Sequence, residues 1–350
     1  MSLSDCQKAL FFELLQISLG NREKLSRVPN VQEWIGLLNE AQRQTIVGIL
    51  FDGLEKIPKE QLPPKEILLQ WIGLAQVAEA SFDLQVERVK ELTRKFKDAG
   101  YKTCVLKGLS AAARYPNPKR RECGDIDFWA RGNRGELMTW LRSQCKVDHV
   151  VWHHVEAKFF ENVPVEVHFH PIWLYNPRHN AALQKWFAKQ GQVLFYQQVN
   201  EQGFIGTSAE FDAVYQLAHC FHHLLEEGLG LRHVIDYYLV LNNLTLEARI
   251  EAFSTIQKIG LEKFATAMMW VLKEVCGMPN DELICETNDL EGKFLLDEII
   301  TGGNFGKTRQ DGKSRNTLSR WWMMVKHYPD EVLFMYPWKL WHKCWRMFNN

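Results

Sequence analysis

Apolar residues recur at helical spacing through the first hundred positions. Leu3 to Leu19 mixes apolar and charged residues as an amphipathic helix does, and a second stretch from Val31 to Ile57 does so with a break. From Pro64 to about Lys97 the positions Ile67, Leu68, Trp71, Leu74, Ala75 and Ala78 keep the 3.6-residue period, with Pro63 and Pro64 suited to the start and Gly100 to the stop. From Tyr101 the period shortens to two, and the runs 103–107, 125–130, 147–152, 155–161 and 163–170 read as short strands. GLSAAARY and GELMTWLRSQ between the first three runs are helix-compatible, so the order is β-α-β-α-β-β-β. After Thr207 the helical period returns, with Ser208 as a cap and further helices near 229–243, 246–259, 261–277 and 290–302. The pattern predicts an α+β protein with an N-terminal helical region (1–99), a core around a small mixed sheet (100–205) and a C-terminal helical region (206–350). The Gly-rich stretch 302–316 reads as a mobile loop.

Composition narrows the classes. The 350 residues are 46% hydrophobic and 24% charged, with 13 Trp and 20 Phe, which suits a folded chain with a sizeable core. Lys plus Arg and Asp plus Glu each total 42, so no whole-chain field draws the protein to nucleic acid or anionic lipid. Asp5, Lys8 and Glu13 interrupt the N-terminal apolar residues, which is unlike a signal peptide, and no run suits a membrane span. The 8 cysteines are scattered without a CxxC pair, which excludes zinc ribbons and disulfide scaffolds and points to reduced thiols in a cytoplasmic setting.

The candidate chemistry lies in the core. Asp125 and Asp127 stand at i and i+2, and alternation along a strand turns both to one face. With no Lys or Arg between them they would repel, a cost that a shared hard cation removes; taken alone, such a pair also suits a solvated edge strand. Lys107-Gly108-Leu109-Ser110 sits where a strand passes into a helix, a place where backbone N–H groups can approach phosphate. Glu166 lies between Val165 and Val167, and alternation sets His168 and His170 on its face. Three acids beside a glycine-containing helix start suit two-metal phosphoryl transfer.

The run VLKGLS…YPNPKRRECGDIDFW…VEVHFH resembles the DNA polymerase β-type nucleotidyltransferase superfamily, and within it a bacterial branch of uncharacterised nucleotidyltransferase-like proteins. The resemblance is specific over about 101–170 and looser to about 240. It implies a nucleotidyltransferase-like core in which Gly108 and Ser110 hold the triphosphate of an NTP. It further implies that Asp125 and Asp127 bind Mg²⁺, two ions when NTP is bound, and that Glu166 is the third acid, as metal ligand or as base for the incoming hydroxyl. Lys107 and Arg121 belong to the branch pattern, as does a later helical segment matched by His222 or His223, Leu231-Arg232 and Asp236, with Arg232 facing phosphate. The implied reaction moves an NMP from NTP to an acceptor hydroxyl and releases pyrophosphate. Leu109 interrupts the usual glycine pair, and the stretch from Gly108 to Asp125 is longer than in the usual motif.

Two other features compete for attention. His219 and His223 are four apart on a predicted helix, and with His168 and His170 they could build the transition-metal site of a hydrolase. Trp338, Trp341, Trp345 and Phe348 lie near one face of a basic C-terminal helix, which reads first as packing. A non-catalytic nucleotide-binding or interaction protein on the same fold is the other alternative. The acceptor, whether small molecule, protein or RNA end, the base of the NTP and the oligomeric state are left open by the sequence.

Overall fold

The computed structural model describes residues 3–306 and 318–349. Positions 307–316 of the expected Gly-rich loop, and the side chain of Phe348, lie outside the described residues. Helices α1 (Asp5–Leu19) and α2 (Val31–Gln44) each open on a capping box, Ser4 with Gln7 and Asn30 with Glu33. The break expected within 31–57 falls at Thr45, in the left-handed region at φ 54°, and α3 (Val47–Leu54) follows. The 34-residue α4 (Lys65–Asp98) buries Trp71, Phe82, Val89 and Phe96 along one stripe.

The core then runs β1 (Lys102–Leu106), α5 (Gly108–Ala112), β2 (Ile126–Arg131), α6 (Arg134–Gln144), β3 (Val147–Val150), β4 (His154–Ala157) and β5 (Val165–His168). Its strand order is β1-β2-β5-β4-β3, with β2 and β5 parallel and every other pair antiparallel, so the sheet is mixed and the protein is α+β. One face, with Val105, Phe128 and Val167, packs on Phe82, Val89 and Phe96 of α4 and Leu137 and Leu141 of α6. The other face carries Trp129, whose ring meets Phe187, Phe195 and Phe211. Phe187 belongs to α7 (Pro177–Leu194), a helix that the sequence reading passed over. Asn176 caps it and Pro177 opens it, but its buried positions are only Leu183, Phe187, Gly191 and Leu194, a thin apolar stripe on a polar helix.

Helices α8 (Ala209–Glu226) and α9 (Leu231–Asn242) are buried almost throughout, and α10 (Leu246–Lys258), α11 (Glu262–Val271), α12 (Asp289–Gly302), α13 (Leu318–His327) and α14 (Pro329–Asn349) follow. Their core is continuous with that of α1 to α3, joining Phe11, Trp34 and Leu50 to Val271, Leu295 and Val332. Polar contacts cross the same boundary: Gln16 Nε2 donates to Val275 O at 3.3 Å and Leu231 N to Gln44 Oε1 at 2.9 Å. Among the described residues no helix is long and apolar enough to cross a membrane.

The loop before β2 is fixed residue by residue. Lys119 pairs with Asp83 at 2.9 Å, and Arg120 binds Asp52 at 2.6 Å, Glu79 at 3.0 Å and also Glu55. Gly48 is required here, because a Cβ at that position would lie 2.3 Å from the Arg120 carbonyl oxygen. Glu122 accepts the N–H of Val47 at 2.9 Å, capping α3. The N-terminal helices thereby hold the segment that delivers Asp125.

Candidate active site

Parallel pairing of β2 with β5 sets Asp127 directly beside Glu166, and Trp129 beside His168. His168 bridges the two acids: its Nε2 lies 2.9 Å from Asp127 Oδ1 and 3.3 Å from Glu166 Oε2. Lys107 Nζ approaches the same Asp127 Oδ1 at 2.8 Å, and His154 Nδ1 lies 3.6 Å from Glu166 Oε2. The repulsion expected between the acids is therefore relieved partly from within the chain. Lys107 reaches this place through an unusual backbone, with φ 49° and ψ −144°, followed by Gly108 at φ 39°. A non-glycine residue in such a conformation costs about 1–3 kcal/mol, and here it turns the chain from β1 into α5 with the ammonium over the carboxylates.

The electrostatics follow from this crowding. Charge on Asp127, then burial, push the Asp125 carboxyl up to about 6, against the pull of Lys107. Burial would raise Glu166, but the hydrogen bond from His168 and the charges of His154 and Lys107 hold it below the usual carboxylate range. Burial works against a charged His168, yet the two carboxylates outweigh it and lift the ring to about 9. Lys107 is likewise held charged above its ordinary value, since the three acids outweigh its burial.

Facing this acid wall is a helical one. Arg121 grips Asp236 of α9 with two bonds, Nε to Oδ1 at 2.9 Å and Nη2 to Oδ2 at 2.6 Å, and Tyr115 donates its hydroxyl to Oδ1 at 2.7 Å. Arg232 Nη1 donates to the Glu122 carbonyl at 2.8 Å, and burial together with the nearby Arg121 charge lowers its pKa. An inner hollow of about 460 Å³ lies between the walls, lined by Lys107, Gly108, Asp125 and Asp127 on one side and by Arg121 and Arg232 on the other. An outer hollow of about 1890 Å³ shares Lys107, Gly124, Asp125 and His219 with it and opens past Glu166, His168 and His222 toward Trp173 and Trp338.

Several expected site residues stand elsewhere. Ser110 is buried, its hydroxyl accepting the Thr207 N–H at 2.7 Å and sharing a 2.8 Å bond with the Thr207 hydroxyl, and it lines neither hollow. The Ser110 hydroxyl expected at the triphosphate thus bonds within the chain here, where α5 meets the 204–207 segment. His170 does not share the face of Glu166. The strand β5 ends at His168, alternation ends with it, and His170 bonds Gln184 at 3.1 Å and stacks on Trp152 at 4.2 Å. The four-histidine grouping of His168, His170, His219 and His223 is therefore not formed. His222, by contrast, does line the outer hollow, buried against Trp173 with ring centroids 4.0 Å apart and lowered by burial to about 4.

Trp338 stacks on Trp173 at 4.9 Å and Arg134 covers the ring of Trp345 at 4.6 Å, as packing would have it, whereas Trp341 is 47% exposed. Sequence reasoning missed His153, His154, Gln216 and His233. His154 opens β4, whose antiparallel pairing to β5 sets it beside His168, and a non-local register of this kind leaves no mark in local spacing.

Comparison with protein families gives the arrangement its kinship. A family described as uncharacterised nucleotidyltransferase matches residues 30–277, which is more than half of the chain and includes both walls of the inner hollow. The chain belongs to this family. No curated protein matches it.

Proposed function

From membership of a nucleotidyltransferase family, we propose that the cleft transfers a nucleoside monophosphate from an NTP to an acceptor hydroxyl, with Mg²⁺ as the working ion and pyrophosphate as the leaving group. The observation that carries the reading is the pairing of Asp127 with Glu166 across parallel strands, with Asp125 lining the same cleft. The donor set fits the ion: three carboxylates offer only oxygen, which a hard cation prefers, and the charge of Asp127 with burial raises Asp125 despite the opposing charge of Lys107, a cost that a bound cation would remove. Asp125, Asp127 and Glu166 would hold the metal, which when bound neutralises phosphate charge and aligns the reacting oxygens.

The remaining roles belong to the chain itself. Lys107, held charged by the acids, neutralises a phosphate oxygen entering over Asp127, and Gly108 gives that phosphate room. Arg232, whose side chain lines the inner hollow, clamps the β- or γ-phosphate. Glu166 stays ionised beside His168 and His154, which suits a ligand better than a base. The acceptor oxygen attacks the α-phosphorus from the wider outer hollow as the bond to pyrophosphate breaks, and the acceptor's proton leaves to solvent through that opening.

The test is incubation of the pure protein with each α-labelled NTP, Mg²⁺ and fractionated acceptor pools, beside melting curves. Label transferred to an acceptor, with a melting shift that needs both Mg²⁺ and NTP, supports the reading. A melting shift without label transfer would favour a nucleotide-binding protein without catalysis, and no shift with any NTP would remove the nucleotide site altogether.

A further inference from the structure

The histidines of the helical wall are not explained by nucleotidyl transfer. His219 and His223 lie one turn apart on α8, and His233 comes from the first turn of α9. Their ring centroids are 4.2 Å, 5.5 Å and 6.0 Å apart, and one ligating nitrogen from each lies within 4.8 Å of the others. His219 Nε2 and His223 Nε2 are 2.9 Å apart. Two imidazole nitrogens on one tetrahedral zinc ion, each at about 2.0–2.1 Å, stand about 3.3 Å from one another, a spacing that small ring rotations reach from here.

We propose that His219, His223 and His233 form a second metal site, specific for an imidazole-preferring transition ion of the Zn²⁺ or Co²⁺ class. Three neutral imidazoles without a carboxylate select against Mg²⁺, so the two walls of the cleft would take different ions. Burial lowers His219 and His233 well below the ordinary histidine range, toward the neutral form that a metal ligand must take. Glu227 Oε2 lies 3.3 Å from His223 Nδ1, which puts a carboxylate beside the ring nitrogen opposite the Nε2 that would ligate the metal.

The position gives the site a use. His219 lines both hollows, His233 the inner one and His223 the outer one, so an ion on these three nitrogens faces the junction where Lys107 and Asp125 also stand. Three protein ligands leave a fourth place open to the cleft, as in zinc sites that bind water or a substrate oxygen. A substrate oxygen anchored there would lie opposite the acid wall. The trio His153, His154 and His168 is the rival for such an ion, since its ligand atoms also lie within 4.8 Å, but it shares His168 with the carboxylates.

Co²⁺ titration of the full-length protein in excess Mg²⁺, followed by its visible spectrum, tests the site. The expected result is one equivalent bound with a tetrahedral, nitrogen-rich band, competed away by Zn²⁺. His223→Gln, at the half-buried cleft edge, and His233→Asn should each weaken Co²⁺ binding more than about 100-fold, beyond the 10–100-fold seen for outer-shell partners. Asp127→Asn and His154→Gln should leave it unchanged. The proposal is overturned if the wild type takes up no Co²⁺, which needs no variant to fold. It is equally overturned if the His223 and His233 variants bind as the wild type does, or if binding is lost in Asp127→Asn or His154→Gln.

Discussion

On the acid wall of the cleft, Asp127 and Glu166 stand side by side and are quieted by Lys107 and His168, each of which is shared among several partners. On the helical wall, Arg121 and Asp236 satisfy one another through two bonds with Tyr115 added. The first arrangement is short of positive charge and gains from a cation or from the phosphates that bring one. The second is already paired, so its charges serve mainly to hold α9 against the loop that carries Asp125.

The largest contrast should come from removing one charge on each side. Asp127→Asn should reduce transfer by about a thousandfold or more, the loss of several kcal/mol of transition-state stabilisation, as read by label transfer per folded molecule. It should also lower the melting temperature without metal, because Lys107 then lacks its closest anion. Arg121→Met should instead act on stability, costing about 3–5 kcal/mol in urea unfolding because it leaves a buried carboxylate without its partner. Adding Asp236→Leu should restore much of that loss; if it does not, the pair is more than a scaffold.

A smaller effect is expected from Arg232→Gln, which touches the cleft without breaking the Arg121 pair. KM for NTP should rise about 10–100-fold with kcat nearly unchanged, the signature of lost uniform binding. A fall in kcat alone would move Arg232 from substrate binding to the transition state.

The histidines sharpen the comparison through opposite pH signs. His168 sits at about 9 in the fold, so its stabilisation is full below the unfolded value near 6.5 and is lost as pH rises through about 9. His222, lowered to about 4, contributes stability above about 6.5 that is lost as pH falls toward 4. Each should add a slope of about 1.4 kcal/mol per pH unit within its own window. Unfolding free energies measured across pH 4 to 9 should show His168→Gln flattening the alkaline limb only and His222→Gln the acid limb only.

The acid wall was legible because its signal is local. Asp125 and Asp127 announce a shared face by spacing, Glu166 stands out as an acid among valines, and the order of strands and helices from 100 to 170 follows from changes of period. What sequence could not give is register and strand length. His154 enters through its pairing with β5, His170 leaves because β5 stops at His168, and Ser110 turns inward because Thr207, far along the chain, supplies a partner. The helical wall was legible only as residue types. His233 follows His223 by ten positions across a helix break, and nothing in that interval says that the two rings meet.

The shared core of the first and last helices bears on how the chain comes into being on the ribosome. Gln16 meets Val275 across 259 positions, and Phe11 and Trp34 share one core with helices that are translated after the whole sheet. At about 5–20 residues per second, the apolar faces of α1 and α2 wait roughly 10–50 s for their cover. During that interval the nascent chain presents α1 to α3 without the part of their core that the last helices supply. Its yield in a cell should therefore depend on chaperones that shield emerging apolar segments far more than its finished stability would suggest.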